Sequence, residues 1–133
     1  MMKRNTYAKQ QRLKSRKKLQ QVFAAKKTVF AQNIKLLYLT EDSDIGNVKC
    51  GVGLSGRYFK KAVDRNRVKR LLREAYRVQQ HDLKKYAEVN QKEVSVFILY
   101  TAKELPVYQD VYHNIETALQ KLLKNLGVLP KLS

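Results

Sequence analysis

Residues 59–77 read FKKAVDRNRVKRLLREAYR. Val68, Leu71, Leu72 and Ala75 recur at i, i+3, i+4 and i+7, the spacing of a buried helical stripe. At about 100° per residue, Asn66, Lys69, Arg70, Arg73 and Arg77 fall on the opposite side. Arg65 and Arg67 lie beside that stripe, near the start of the helix, and widen the basic surface. Asp64 suits the positive end of the helix dipole, and Glu74 is placed to pair with Arg70 or Arg77. A face whose only task is solvation mixes signs, because opposite charges at i, i+4 support a helix and like charges oppose it. Here like charges crowd together, which suits a polyanionic partner.

The whole chain carries the same bias. Its 133 residues suffice for one domain with a core. Lys and Arg number 28 against 11 Asp and Glu, a formal net charge of +17. Such a charge repels itself in a compact monomer and is commonest in proteins that bind nucleic acid. A membrane surface is the other polyanion to weigh, but no apolar run approaches the roughly 20 residues needed to span. The N-terminus lacks the apolar centre of a signal peptide, so the cytoplasm is the expected compartment. Cys50 is the only cysteine, and His81 and His113 are the only histidines. A disulfide framework or a transition-metal site is therefore not expected.

Residues 1–14 are basic and polar, and the first acid of the chain is Glu41. A flexible basic arm is expected there, then a single domain over 15–127 and a short tail over 128–133. Ser15 is a candidate cap for a short helix that places Leu19, Val22 and Phe23 on one face. Strands are expected at 28–31 and 34–40. Residues 41–47, EDSDIGN, have the chemistry of a hairpin connection to a return strand at 48–54. Gly51 and Gly53 share one face of that strand, which predicts close approach of another backbone or a helix. The basic helix has no sharp stop signal and is expected to end between 81 and 86. Residues 94–100, VSVFILY, read as a central strand covered on both faces. A last helix over 108–125 buries Val111, Ile115, Ala118, Leu119, Leu122 and Leu126, with Gly127 as its C′ stop. The expectation is one α+β domain in the order α-β-β-β-α-β-α.

The central stretch resembles the bacterial ribonuclease P protein component. Arg65-Asn66-Arg67, Lys69-Arg70, Arg73 and Ala75 make an RNR-x-KR-x-x-R-x-A run highly specific to that family. Ala62-Val63 fits too, as do Leu13-Lys14 and Gln21-Val22-Phe23 near the start, and the likeness extends over about residues 12–126. Two positions depart from the family's pattern. Leu19 stands where an aromatic residue is common. Ser55-Gly56-Arg57-Tyr58 carries one cation where two are often adjacent.

The resemblance implies a small basic protein that pairs with a large catalytic RNA and, with it, removes the 5′ leader from precursor tRNA. It implies that the RNA performs the hydrolysis with bound Mg²⁺, and that no protein partner is required. It also implies a sandwich like the second domain of ribosomal protein S5. Its sheet would be mostly antiparallel, with the basic helix inside a left-handed β-α-β crossover. Arg65, Asn66, Arg67, Lys69, Arg70, Arg73 and Arg77, with Lys60 and Lys61, become the candidate contacts to the RNA subunit. Phe23, Tyr38 and Tyr58, with Lys17, Lys18 and Arg57, become the candidate contacts to the leader.

The residue chemistry is compatible with both roles. Arg matches phosphate oxygens with a planar fork, and Lys acts as a mobile point charge. Asn66 either bonds locally or reads base edges and 2′-hydroxyls. Single-stranded RNA is held by aromatic stacking over a cationic groove. Phe23, Tyr38, Tyr58 and Phe59 serve either that purpose or the core. No His, Cys or Ser has an evident orienting partner, so a self-sufficient nuclease is disfavoured. Glu41, Asp42 and Asp44 read as turn chemistry rather than a metal cluster. A ribosomal or general RNA-binding protein fits the composition equally well, and only the RNR-x-KR run separates the two. A basic helix for the major groove of DNA is the third reading; comparing duplex DNA with structured RNA as ligands discriminates it.

Overall fold

The computed structural model describes residues 16–55 and 57–128. The expected arm and the Ser15 cap lie outside these residues, as does the expected tail apart from Val128. The elements are α1 (Arg16–Ala25), β1 (Thr28–Ala31), β2 (Ile34–Asp42), β3 (Asn47–Leu54), α2 (Ala62–Arg77), α3 (His81–Asn90), β4 (Lys92–Tyr100) and α4 (Tyr108–Asn125). The architecture is α+β, and it has one helix more than the sequence suggests. The basic helix stops at Arg77, and α3 begins at His81. Gln79 bends its side chain back to the Ala75 carbonyl (3.0 Å), and its backbone N–H bonds Tyr76 O (3.0 Å). The break therefore uses neither glycine nor proline. Among the described residues, no helix is long and apolar enough to cross a membrane.

The four strands lie in the order β1-β2-β4-β3. β1 with β2 and β2 with β4 are antiparallel, and β3 with β4 is parallel. The expected hairpin between β2 and β3 does not form, because β4 separates them. Residues 43–46 instead turn away onto α3. A Cβ on Gly46 would stand 2.3 Å from the Ala87 carbonyl oxygen, so the loop reaches that helix backbone only through glycine. The parallel pair requires a crossover, and α2 and α3 supply it.

Both faces of the sheet are covered. On one face Ile34, Leu36 and Tyr38 of β2 join Val94, Val96, Ile98 and Tyr100 of β4. Val68, Leu72, Ala75 and Tyr76 of α2 close over them, with Leu83 and Ala87 of α3 and the buried stripe of α4. On the other face Val22 of α1 packs with Leu37, and Leu19, Leu39 and Phe97 adjoin them. Leu71, expected in the core, is only partly buried, and Tyr76 takes the inward place. α4 ends as expected: Val128 N–H bonds Leu123 O (2.9 Å), Gly127 N–H bonds Lys124 O (3.0 Å), and Gly127 has φ 89°.

The entry to α2 is fixed from two sides. Phe59 is buried beside Tyr100, with ring centroids 6.2 Å apart. Arg65 turns back, and its Nη1 donates to the carbonyls of Phe59 (2.8 Å) and Lys60 (2.7 Å). Phe59 is thus a core residue and takes no part in a surface stack.

Two predictions concern stability. Leu72→Ala and Leu122→Ala should each cost about 2–5 kcal/mol in urea or thermal melts, with Leu71→Ala costing less than either. Equal losses at all three would contradict the burial described. Arg65→Ala should cost about 1–2 kcal/mol, since two bonds from a charged donor are lost at a partly exposed site. An unchanged melt would mean that water serves those carbonyls as well.

Candidate nucleic-acid interface

α2 presents its charge as the helical period dictates. Asn66, Arg67 and Arg70 are exposed and Lys69 and Arg73 half-exposed, with Lys60 and Lys61 exposed just ahead. With Val63 and the Glu74–Arg77 pair, Asn66, Arg67, Lys69, Arg70 and Arg73 line one shallow, open groove along the helix. Arg67, Lys69, Arg70 and Arg73 have no acid partner among the described residues. Glu74 pairs with Arg77 and not with Arg70. Arg77 donates from Nε (3.1 Å) and Nη2 (2.6 Å), a fork-to-carboxylate contact. That hydrogen bond holds the Glu74 carboxyl below its usual range. The free cationic surface is therefore concentrated toward the N-terminal and middle turns of α2. Arg65 contributes its charge to this surface but spends Nη1 on the backbone.

The candidate leader residues divide between places. Phe23, 45 % exposed, lies edge-on to Phe97 with centroids 5.3 Å apart and ring planes at 62°. Lys49, Gly51 and Gly53 of β3 occupy this same α1 side of the sheet, from their pairing with Ser95, Phe97 and Leu99. A Cβ on Gly53 would meet the Phe97 ring at 2.7 Å. At Gly53 the predicted close neighbour is thus an aromatic ring, not a backbone or a helix. The Phe97 ring fills the space beside Gly53. α1 packs on β2 and β4 while β3 lies at the sheet edge, so the α1 side of β3 forms a trough beside the helix, with Phe23 as its wall and Phe97 as its floor.

At one end of the trough Lys18 pairs with Glu41 and lies 3.8 Å from Glu93, which also meets Lys49 at 4.0 Å. At the other end Arg57 and Tyr58 stand exposed in the turn after β3, where Tyr58 N–H bonds Ser55 O (3.3 Å). Lys17 is exposed but about 140° around α1 from Val22, on its solvent side. Tyr38 does not join this group. It is 7 % exposed on the opposite face of the sheet, where its hydroxyl accepts a bond from Asn125 Nδ2 (3.3 Å). Phe97 and Lys49 were not singled out by sequence. The continuous apolar run of β4 hides which residues face α1, and only the pairing register reveals it.

Two of the acids in residues 41–44 are held by lysines. Glu41 holds Lys18, Asp42 holds Lys92 (2.5 Å), and the Ser43 hydroxyl bonds Ile45 O (2.8 Å). Among the described residues, no group of three His, Cys, Asp or Glu is placed to hold a metal ion.

Comparison with known proteins gives a consistent result. The family model described as Ribonuclease P matches residues 7–127. The ribonuclease P protein component of Porphyromonas gingivalis is 31 % identical over 125 residues, covering 92 % of this chain and 88 % of that one. The relative from Idiomarina loihiensis is 35 % identical over 83 residues, 62 % of this chain and 66 % of its own. The solved structure of the Staphylococcus aureus RNase P protein shares the fold, with TM-score 0.61, 18 % identity and coverage of 84 % of this chain and 94 % of that chain. The match spans the helix with the RNR-x-KR run, the sheet and the last helix, and the chain belongs to the ribonuclease P protein family.

Proposed function

We propose that α2 carries the contact with the catalytic RNA of ribonuclease P, and that the trough between α1 and β3 receives the 5′ leader of precursor tRNA. The single observation behind the first part is the row of unpaired cations on the outer face of a helix whose inner face is fully buried. Phosphates laid along that row meet Arg67, Lys69, Arg70 and Arg73 without displacing an acid. Asn66, exposed among them, offers a donor and an acceptor to a 2′-hydroxyl or base edge.

The trough supports the second part by its chemistry. Phe23 offers an exposed aromatic face for a base. Arg57 stands at one end for a phosphate and Tyr58 for a further stack. Lys18 is less available, because Glu41 and Glu93 share its charge. Hydrolysis is assigned to the RNA and its Mg²⁺. Glu41 and Asp42 each hold a lysine. Cleavage of precursor tRNA at low Mg²⁺ that requires both this protein and a bacterial ribonuclease P RNA is the overall test.

Two further measurements separate the surfaces. Arg67→Ala with Arg70→Ala should leave the fold intact and flatten the salt dependence of binding to the catalytic RNA by up to about two phosphate contacts. An unchanged slope and affinity in the folded double variant would place the RNA elsewhere. Phe23→Ala should weaken binding of leader-bearing precursor by the assembled enzyme by about 1–3 kcal/mol, and binding of mature tRNA by much less. Equal losses for the two ligands would mean damage to the α1 packing instead.

A further inference from the structure

Beyond the last turn of α2, a second kind of surface adjoins the cationic row. Tyr108 and Tyr112 are one helical turn apart on α4, with ring centroids 6.1 Å apart and planes at 50°. Tyr108 packs against the core, and Tyr112 is 37 % exposed. Gln79 ties this turn of α4 to α2, donating Nε2 to the carbonyls of both Ala75 (3.0 Å) and Tyr112 (3.1 Å). Tyr108 is within electrostatic reach of Glu74 and Arg77. The tyrosine pair therefore borders the C-terminal end of the row.

A lone exposed aromatic residue needs no explanation. A pair held against the core and bordering a cationic row has the composition of a single-strand RNA site, where rings take bases and cations take phosphates. The local charge agrees. Glu74 and Arg77 largely cancel, so this end of the helix favours a neutral base over a phosphate, while Arg70 and Arg73 remain for phosphates nearby. Tyr108 is immobilised by packing and gives the Tyr112 ring a fixed backing, so less side-chain freedom is lost when a base settles on Tyr112.

We propose that Tyr112, backed by Tyr108, stacks on an unpaired base of the RNA that lies along α2. The inference extends the reading of α2 given above and rests on it for the identity of the RNA.

The test uses the full chain and a bacterial ribonuclease P RNA across a salt series, with Tyr112→Ala, Tyr112→Leu and Tyr112→Phe beside the Arg67/Arg70 double variant. Tyr112→Ala and Tyr112→Leu should weaken binding about fivefold, the low end for one stacked base. The loss should be the same at every salt, because no phosphate contact is removed. Tyr112→Phe should bind as the parent does. Leu keeps apolar cover on the helix, so a loss shared by Ala and Leu but not by Phe reports the ring itself. Parent-like binding by Ala and Leu would overturn the proposal and leave the tyrosines to a protein contact. A Phe variant as weak as Ala, or a flattened salt slope, would also overturn it. If the Arg double variant binds normally while the Tyr112 variants do not, the α2 reading fails and with it the placing of the stacked RNA along α2, while a ring contact between Tyr112 and the RNA stands. The reverse pattern removes the stack alone.

Discussion

Burial of one side of α2 is the constraint on which the rest depends. Lys69 and Arg73, and Arg73 and Arg77, are like charges at i, i+4, each pair opposing the helix by a few tenths of a kcal/mol. Val68 and Leu72 are fully buried, and each such side chain contributes about 1.5–3 kcal/mol relative to exposure. The packing term outweighs the repulsion several-fold. A row of cations is thereby held in register before any ligand arrives, so binding need not order it. In isolation the same segment would have the repulsion without the compensation.

The order of secondary elements was largely legible because it rests on local pattern. The stripe of α4 and its glycine stop are found where the 3.6-residue period puts them. What escaped was non-local. α3 was merged with α2 because the break at Val78–Gln80 uses ordinary residues. The turn-like EDSDIGN segment suggested a hairpin, but turn chemistry says where a chain bends and not which strand it then joins. Tyr38 was misplaced because β2 has Leu36 and Leu37 side by side, both buried, on opposite faces. With both faces covered, alternation no longer tells inside from outside. The cationic row was readable residue by residue, since exposure on α2 follows from phase alone. The trough was not, since it needs β3 beside β4.

The two surfaces meet at residues 57–61. Arg57 and Tyr58 belong to the end of the trough, and Lys60 and Lys61 to the start of the basic row. Between them Phe59 is sunk into the core, and Arg65 grips the carbonyls on either side of the Phe59–Lys60 peptide. An arginine in the motif that marks the family thus also shapes the backbone. On the proposed function, this short joint sets how an RNA on α2 is presented to a strand in the trough.

The central position of β4 has a consequence for how the chain is made. Synthesis delivers α1, β1, β2, β3 and α2 first, and β1 can pair with β2 at once. β2 and β3 cannot join until β4 slides between them, bringing Tyr100 beside Ile34 and Leu54. α4, which covers the inner face of α2, emerges later still. Closure therefore waits on contacts between distant parts of the chain, which slows folding and leaves apolar surface open meanwhile. A nascent chain that stalls before β4 already displays every residue of the basic row, but has no framework to keep that row in line.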